Sequence, residues 1–432
     1  MMSPNRSGNN AQKGKPRKSA RKRPLILLAV IVVGALVYQL PPVKSRLSWR
    51  LDYLGIYVAG VFNPIGSVPD VQASLPEPQV VMTQGEMSTP SGPPVQTKET
   101  GPTGTPAVTP TAAPLPVQVV LPPPKWEAED LNNCGPTTLA MHLRMFGWQG
   151  DQQTIASKVK PHRDDRNVNV EELVSYVHTD VPALGVVYRV GGTVDRLRSF
   201  LAAGIPVTIE ESLILKESYW PNDDRWAGHY LLLTGYDDSQ HVFITQDSEL
   251  GANQVVRYED LASDWESFNH VYIVLYRPEQ EATVRALLGA DWDADVNRQN
   301  ALQQAVRQTQ ETPGDGYAWF NMGTNLVYFD RYGEAVSAYE RAIQAGLPQR
   351  MFRYQFGPFM AYFYNGNYDA LIKLADYALR VTPNSEEAML WKGWGLYRTG
   401  QKDQAVELFQ KALEQRPGYS DAEYALQFVQ SQ

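Results

Sequence analysis

"HYLLLTGYDDSQHVFITQD", His229 to Asp247, is a pair of short apolar runs separated by a polar turn. Aromatic, leucine and β-branched residues flank Asp237, Asp238 and Ser239, the pattern of a β-hairpin. His229 and Asp247 lie nine residues on either side of Asp238. In an antiparallel pair turning there they are nearly opposite, so their side chains meet on one face. Asp237 and Asp238 serve the turn itself. A carboxylate against an imidazole fixes the orientation of a base. Taken alone, His229 has the plainer reading of an edge histidine, and the surrounding chain has to decide.

Working outward, "IPVTIE" (205–210), "QVVRY" (254–258) and "HVYIVLYR" (270–277) read as further strands. Before them come helices. "NVEELVSYV" (169–177) starts with Asn169 as N-cap and Glu172 three residues on, a capping box, and Asp195–Ala203 reads as another helix. Helices first and strands later is an α+β order.

The only cysteine of the 432 residues stands in "LNNCGPTTLAMHLRMFGW" (131–148). Pro136 belongs in the first turn of a helix, which puts Cys134 at a helix N-terminus, where the helix dipole favours negative charge. Two readings stand: a small core hydrophobe, or a nucleophile. A nucleophile needs a base. His142 lies eight residues along the same helix, about 12 Å away by helical rise, and is out of reach. His162 and His178 sit in polar segments, while His241 and His270 each open a strand. His229 follows a glycine-containing loop at a strand start, held rigidly yet beside a cleft.

The first 23 residues hold eight Lys and Arg and no acid; taking that +8 from the formal −8 leaves −16 on the remainder. That sign argues against nucleic acid as a partner. Residues 1–23 read as a basic cytoplasmic tail. "PLILLAVIVVGALVYQL", residues 24–40, is uncharged and reads as a single transmembrane helix at the short end of the spanning range, with a cleaved signal peptide as the rival reading. The basic block before it puts the N-terminus in the cytoplasm and the following domains outside the cell membrane. Residues 41–66 are a juxtamembrane segment, either an interfacial helix or a stalk. Residues 67–124, rich in Pro and Thr, read as a disordered linker. Residues 125–278 form a globular domain, and 279–432 carry no strand signal.

In that last region Trp319, Gly323, Tyr332, Ala335, Tyr339 and Ala342 are echoed by Gly393, Gly400, Ala405, Phe409, Ala412 and Pro417. Gly366, Tyr368, Ala375, Ala378 and Pro383 lie between them, and Pro383 and Pro417 are 34 residues apart. The pattern resembles the tetratricopeptide repeat (TPR), an all-α solenoid that implies a protein partner. Three units are expected, with residues 300–313 as the second helix of a degenerate further one. In the middle unit Leu371 replaces the usual alanine, and Pro358 falls inside the first helix, where a kink is expected. The aromatic run 351–364 is either repeat core or a surface that binds a partner or docks on the preceding domain.

"NNCGPTTLAM" (132–141), "AGHYLLLTGYDD" (227–238) and "ITQDSELG" (244–251) resemble the cysteine, histidine and aspartate blocks of the C39-like peptidases, a papain-like group, over residues 125–278. The layout of anchor, peptidase and TPR array also resembles bacterial C39-like proteins. The resemblance implies a papain-like α+β fold and hydrolysis of peptide bonds, with Cys134 as nucleophile, His229 as base and then acid, and Asp247 fixing the imidazole. One departure matters. The family has a glutamine a few residues before the cysteine, donating to the oxyanion; here "KWEAEDLNN" (125–133) has Glu129 in about that place. An ionised carboxylate repels the oxyanion. Three rescues are open: a Glu129 protonated by burial, donation by Asn132 or Asn133 instead, or the Cys134 backbone N–H alone; in a fourth outcome the domain binds peptide without cutting it. No cofactor motif is present, no Cys/His cluster has zinc spacing, and Asp164 with Asp165 reads as a solvated loop, so neither a cofactor nor a metal is expected.

Overall fold

The computed structural model describes residues 54–55, 57–58, 60–71, 114–160 and 167–431. The basic tail, the 24–40 run, most of the Pro/Thr-rich linker and Asp164–Asp165 lie outside the described residues. No described helix is long and apolar enough to cross a membrane. The chain divides into two compact units. The smaller includes the described residues up to Pro64 together with Tyr219–Pro221, where the rings of Tyr219 and Trp220 lie 6.3 Å apart. The larger holds Ile65–Ser218 and Asn222–Gln432.

In chain order the larger unit begins with β1 (Gln118–Val120), α1 (Cys134–Arg144), α2 (Gln152–Val159), α3 (Val170–Asp180), β2 (Gly185–Arg189) and α4 (Val194–Ala202). It continues with β3 (Val207–Ile214), β4 (Trp226–Asp237), β5 (Val242–Asp247), β6 (Gly251–Arg257), α5 (Tyr258–Glu266) and β7 (Tyr272–Tyr276). The strands form one sheet in the order β2-β7-β3-β4-β5-β6, with β1 beside the far end of β4, and every described pairing is antiparallel. The domain is α+β, but the expected order of helices before strands holds only in part: β1 precedes α1, β2 lies between α3 and α4, and α5 separates β6 from β7.

The long β4 is central. Leu231 and Leu233, with Val207 and Ile209 of β3, pack against Phe200 and Leu201 of α4 and Leu261 and Trp265 of α5. Across the sheet α1 is bolted down at two points. Thr138 Oγ1 donates to the Tyr230 carbonyl (3.0 Å), and His142 Nδ1 meets Thr208 Oγ1 (2.8 Å). Both faces of β4 are therefore covered, which is why its sequence reads as a continuous apolar run. Gly135 makes the approach possible: a Cβ there would stand 3.3 Å from the Tyr230 ring.

The disordered-linker expectation fails at its C-terminal end. β1 pairs with residues 235–237, Tyr236 OH donates to the Pro116 carbonyl, and Gln118 Nε2 donates to the Asp237 carboxylate. Tertiary pairing orders a segment that has too little apolar surface to order itself. It fails likewise at 67–71, where Val68 and Val71 are buried and the Asp70 carbonyl accepts from Lys373. β2 was not legible either, because its residues are partly buried and show no alternation.

After α6 (Glu281–Leu288), the chain is helical: α7 (Ala294–Glu311), α8 (Gly316–Tyr328), α9 (Tyr332–Ala345), α10 (Gly357–Tyr364), α11 (Tyr368–Val381), α12 (Glu386–Arg398), α13 (Lys402–Gln415) and α14 (Ser420–Ser431). Helices α8 to α13 are three antiparallel pairs, and α7 covers the second helix expected at 300–313. Gly323 shows why small residues recur, since a Cβ there would fall 2.7 Å from the Tyr339 ring. The expected kink at Pro358 is absent. α10 begins at Gly357, so the proline occupies the first turn, where no N–H is missed.

His142 is buried with Nε2 unpartnered, and burial, only partly offset by the Pro206 backbone, lowers its pKa to about 3. The unfolded chain then takes up a proton from about pH 6.5 downward while the folded chain does not, so stability falls with pH across that window. At pH 5 this amounts to about 2 kcal/mol, from about 1.4 kcal/mol per unit. His142→Gln should remove that slope from denaturation midpoints between pH 6.5 and 5; an unaltered slope would contradict it.

Candidate active site

Cys134 is the first residue of α1, presented by a tight turn. Asn132 adopts a left-handed φ of 53°, and the Asn133 N–H donates to the Asp130 carbonyl. Gln152, at the start of α2, ties this turn together. Its Oε1 accepts from Asp130 N (2.7 Å), Asn133 Nδ2 (2.7 Å) and Thr137 Oγ1 (3.0 Å), while its Nε2 donates to Glu127 and to the Ala128 carbonyl. Lys160 Nζ donates to the Leu131 and Asn132 carbonyls. Sequence reasoning missed Gln152 and Lys160, since neither type signals a site by itself. Asn133 must be corrected as an oxyanion donor: its side chain is buried and its amide is committed to Gln152.

The hairpin register differs from the simple expectation. Asp237 pairs with Val242 and Gly235 with Ile244, but beyond Thr234 the ladder shifts, and Asp247 pairs with Leu231 instead of lying opposite His229. One extra residue in β4, Thr234, forms a bulge. Continued without the bulge, the ladder would set Asp247 opposite Leu232 and on the wrong face for His229. The bulge restores the parity, because Leu231 and His229 share a face. Thr234 is held in place, its Oγ1 donating to the Ile244 carbonyl (3.3 Å) and accepting from Gln246 Nε2 (3.0 Å). The outcome is a bond from His229 Nε2 to Asp247 Oδ1 of 3.0 Å between buried side chains. The same oxygen accepts from the backbone N–H groups of Glu249 (2.8 Å) and Leu250 (2.9 Å).

The other ring nitrogen faces the nucleophile turn. His229 Nδ1 lies 3.9 Å from Glu129 Oε2, and donor atoms of Glu129, Cys134 and His229 all lie within 4.8 Å of one another. The structure thus brings Cys134, His229, Asp247 and Glu129 together. Two bonds lace Glu129's segment to the end of β5: Trp126 Nε1 to the Asp247 carbonyl (2.8 Å) and Glu129 N to the Ser248 carbonyl (3.1 Å). Ser248 Oγ donates to Glu129 Oε2 at 2.6 Å.

Burial works against charge on the imidazole, but the bond to Asp247 and the contact with Cys134 outweigh it and raise the His229 pKa well above the usual value. Burial likewise disfavours the Asp247 carboxylate, yet its bonds from His229, Leu250 and Glu249 hold its pKa below the ordinary range. Glu129 goes the other way: burial raises its carboxyl, against the attraction of His229 and the Ser248 bond. Glu211, paired with His229 across β3 and β4, is pushed up to about 8 by burial and so adds little charge beside the ring at neutral pH. A thiol, a strengthened imidazole base and an orienting carboxylate are the components of acyl transfer to sulfur.

The helical region also reaches the site. Arg353 Nη2 donates to Asn132 Oδ1 (3.0 Å), and Arg350 forms a fully buried ion pair with Asp223 while donating to the Trp226 carbonyl (2.7 Å). The Tyr354 ring stands edge-on to Trp226 and Phe268. The aromatic run 351–364 is thus both repeat core, through Phe352, Phe359 and Tyr362, and, through Tyr354, a docking surface on the sheet-containing domain.

Two predictions follow from these contacts. Arg350→Ala removes the cation from the buried Arg350–Asp223 ion pair and should cost about 3–5 kcal/mol in denaturant unfolding; a loss under about 1 kcal/mol would disprove the pair's role. Deleting Thr234 should turn Asp247 away from His229, so the imidazole pKa, followed by NMR, should fall. Asp247→Asn, which keeps the fold's shape, should lower it too, and an unchanged pKa in both would refute the register argument.

A comparison with curated proteins gives no match. The model of the Peptidase_C39 like family matches residues 113–274, and a tetratricopeptide repeat model matches 359–420. Among solved structures, the chain is similar to a protein described as a C39-like peptidase from Bacillus anthracis, at 19% identity over 37% of this chain and 98% of that one, TM-score 0.30. It is similar to YrrB, described as a TPR protein with an unusual peptide-binding site, at 22% identity over 31% of this chain and 68% of that one, TM-score 0.28. It is also similar to the first TPR of Spaghetti (RPAP3) bound to an HSP90 peptide, at 15% identity over 27% and 91%, TM-score 0.25. The chain therefore joins two families in one polypeptide, a C39-like peptidase domain at residues 113–274 and tetratricopeptide repeats after it, at residues 359–420.

Proposed function

We propose that the domain is a cysteine peptidase that cleaves peptide bonds through Cys134, His229 and Asp247. The observation that carries this is the convergence of sulfur, imidazole and carboxylate, with His229 bonded to Asp247 at 3.0 Å and beside Cys134. His229 takes the thiol proton, the sulfur attacks the peptide carbonyl, and the imidazolium returns the proton to the leaving amine. Water, deprotonated by the same ring, then releases the acyl group and restores the thiol. The Cys134 backbone N–H, unbonded within its helix, is one oxyanion donor. Glu129 is the second when it carries its proton, which burial favours.

The repeats supply a partner-binding face. Phe363, Tyr364, Trp391, Trp394, Tyr424 and Phe428 line a groove of about 820 Å³, with Arg398 and Asp421 at its polar edge. Aromatic-lined grooves of this size suit a protein or peptide ligand. The apolar run at 24–40, preceded by the basic block, supports a single-pass anchor with the peptidase outside the cell membrane.

A second reading rests on Glu129: with its carboxyl ionised, the domain holds a peptide without cutting it. Peptide libraries incubated with the full chain and with Cys134→Ala separate the two readings. Cleavage only by the parent protein is expected, and equal product from both would exclude catalysis. Glu129→Gln supplies a permanent donor and should raise kcat by up to about 10²–10³, the worth of one oxyanion donor. Peptide binding without cleavage in the parent, with cleavage restored in this variant, would establish the second reading.

A further inference from the structure

We propose that Cys134, His229 and Glu129 form a reversible site for a Zn²⁺-class metal ion, which caps the thiol. This inference stands on the donor geometry and does not require the domain to hydrolyse peptides.

The three side chains offer one thiolate, one imidazole nitrogen and one carboxylate oxygen, all within 4.8 Å of one another. A tetrahedral zinc ion with bonds of about 2.0–2.3 Å sets its donors roughly 3.4–3.6 Å apart. The His229–Glu129 separation of 3.9 Å needs to close by only about half an ångström to meet that spacing. A sulfur, nitrogen and oxygen set selects zinc over magnesium or calcium, which take oxygen donors.

The surroundings are those of a supported metal site. His229 donates its far nitrogen, Nε2, to Asp247 at 3.0 Å, which leaves Nδ1 turned toward the other two donors. A ligating histidine held by a carboxylate is the usual outer support of zinc, fixing both tautomer and ring plane. Glu129 is steadied in turn by Ser248 Oγ at 2.6 Å. Cys134 and Glu129 are both partly exposed, which gives an ion a way in. Glutamine in place of Glu129 would offer only a neutral amide oxygen, so the residue that weakens the oxyanion site is also the one that completes the metal site.

Binding releases the proton shared by the sulfur–imidazole pair, and a second from Glu129 where its carboxyl is protonated. The sulfur lone pair then bonds the metal and is withdrawn from attack. Three protein donors leave the fourth position to water.

The test uses Co²⁺, then Zn²⁺, on the reduced full chain, read by absorption. One equivalent of Co²⁺ should produce a sulfur-to-cobalt charge-transfer band that Zn²⁺ abolishes. Cys134→Ser should lack the band. Glu129→Gln should weaken binding at least tenfold, and Asp247→Asn by about 10–100-fold, with circular dichroism confirming that each variant is folded. A parent protein without the band, a band that survives Cys134→Ser, or unaltered affinity in Glu129→Gln would each overturn the proposal. A cobalt band in a chain that cleaves no peptide would uphold the metal site while rejecting the peptidase reading.

Discussion

The site depends on one extra residue in one strand. Thr234 adds a step to β4 that β5 does not match, and this reverses which face of the hairpin Asp247 occupies. Without it, the carboxylate and the imidazole would point to opposite sides of the sheet however well the strands paired. With it, a buried histidine gains a buried carboxylate that is itself held by two backbone N–H groups. Burial alone would weaken the imidazole as a base, and this contact, with that to Cys134, reverses the direction.

Around that bond the chain builds a rigid frame from parts distant in sequence. Gln152 from α2 and Lys160 just past its end hold the turn before Cys134, and Thr138 and His142 fix the helix behind it to β4 and β3. Arg350 and Arg353 reach in from the repeat region to the start of β4 and to Asn132. The repeats are thus more than an appended module. Because the Arg350–Asp223 pair is fully buried, separating the two regions would expose or strand a charge, so they are expected to unfold as a coupled structure.

Glu129 gives the site an ambiguous electrostatic character. Next to an imidazole it is a counter-ion, next to an oxyanion it is a hindrance unless protonated, and next to a thiolate it is a third metal donor. Burial raises its pKa while His229 and Ser248 pull it down, so its ionisation depends on those neighbours. A glutamine would have no such dependence.

The sequence by itself determined the α+β class, the hairpin, the helix beginning at Cys134 and the repeat pattern. Those features are local: apolar runs, turn residues, a proline in a first turn and a 34-residue spacing are written in contiguous stretches. It also singled out Cys134, His229 and Asp247, through block order and a hairpin argument that placed the last two on one face but missed the register. Only the tertiary structure decided the bulge that makes the pairing work, because periodicity does not reveal which residue a ladder skips. It also decided that Asn133 braces the turn, that 118–120 is a strand, and that Pro358 starts a helix. Each depends on a partner far along the chain or on where an element begins. The approach of Glu129 to His229 is of the same kind, since a contact spanning a hundred residues leaves no spacing to read.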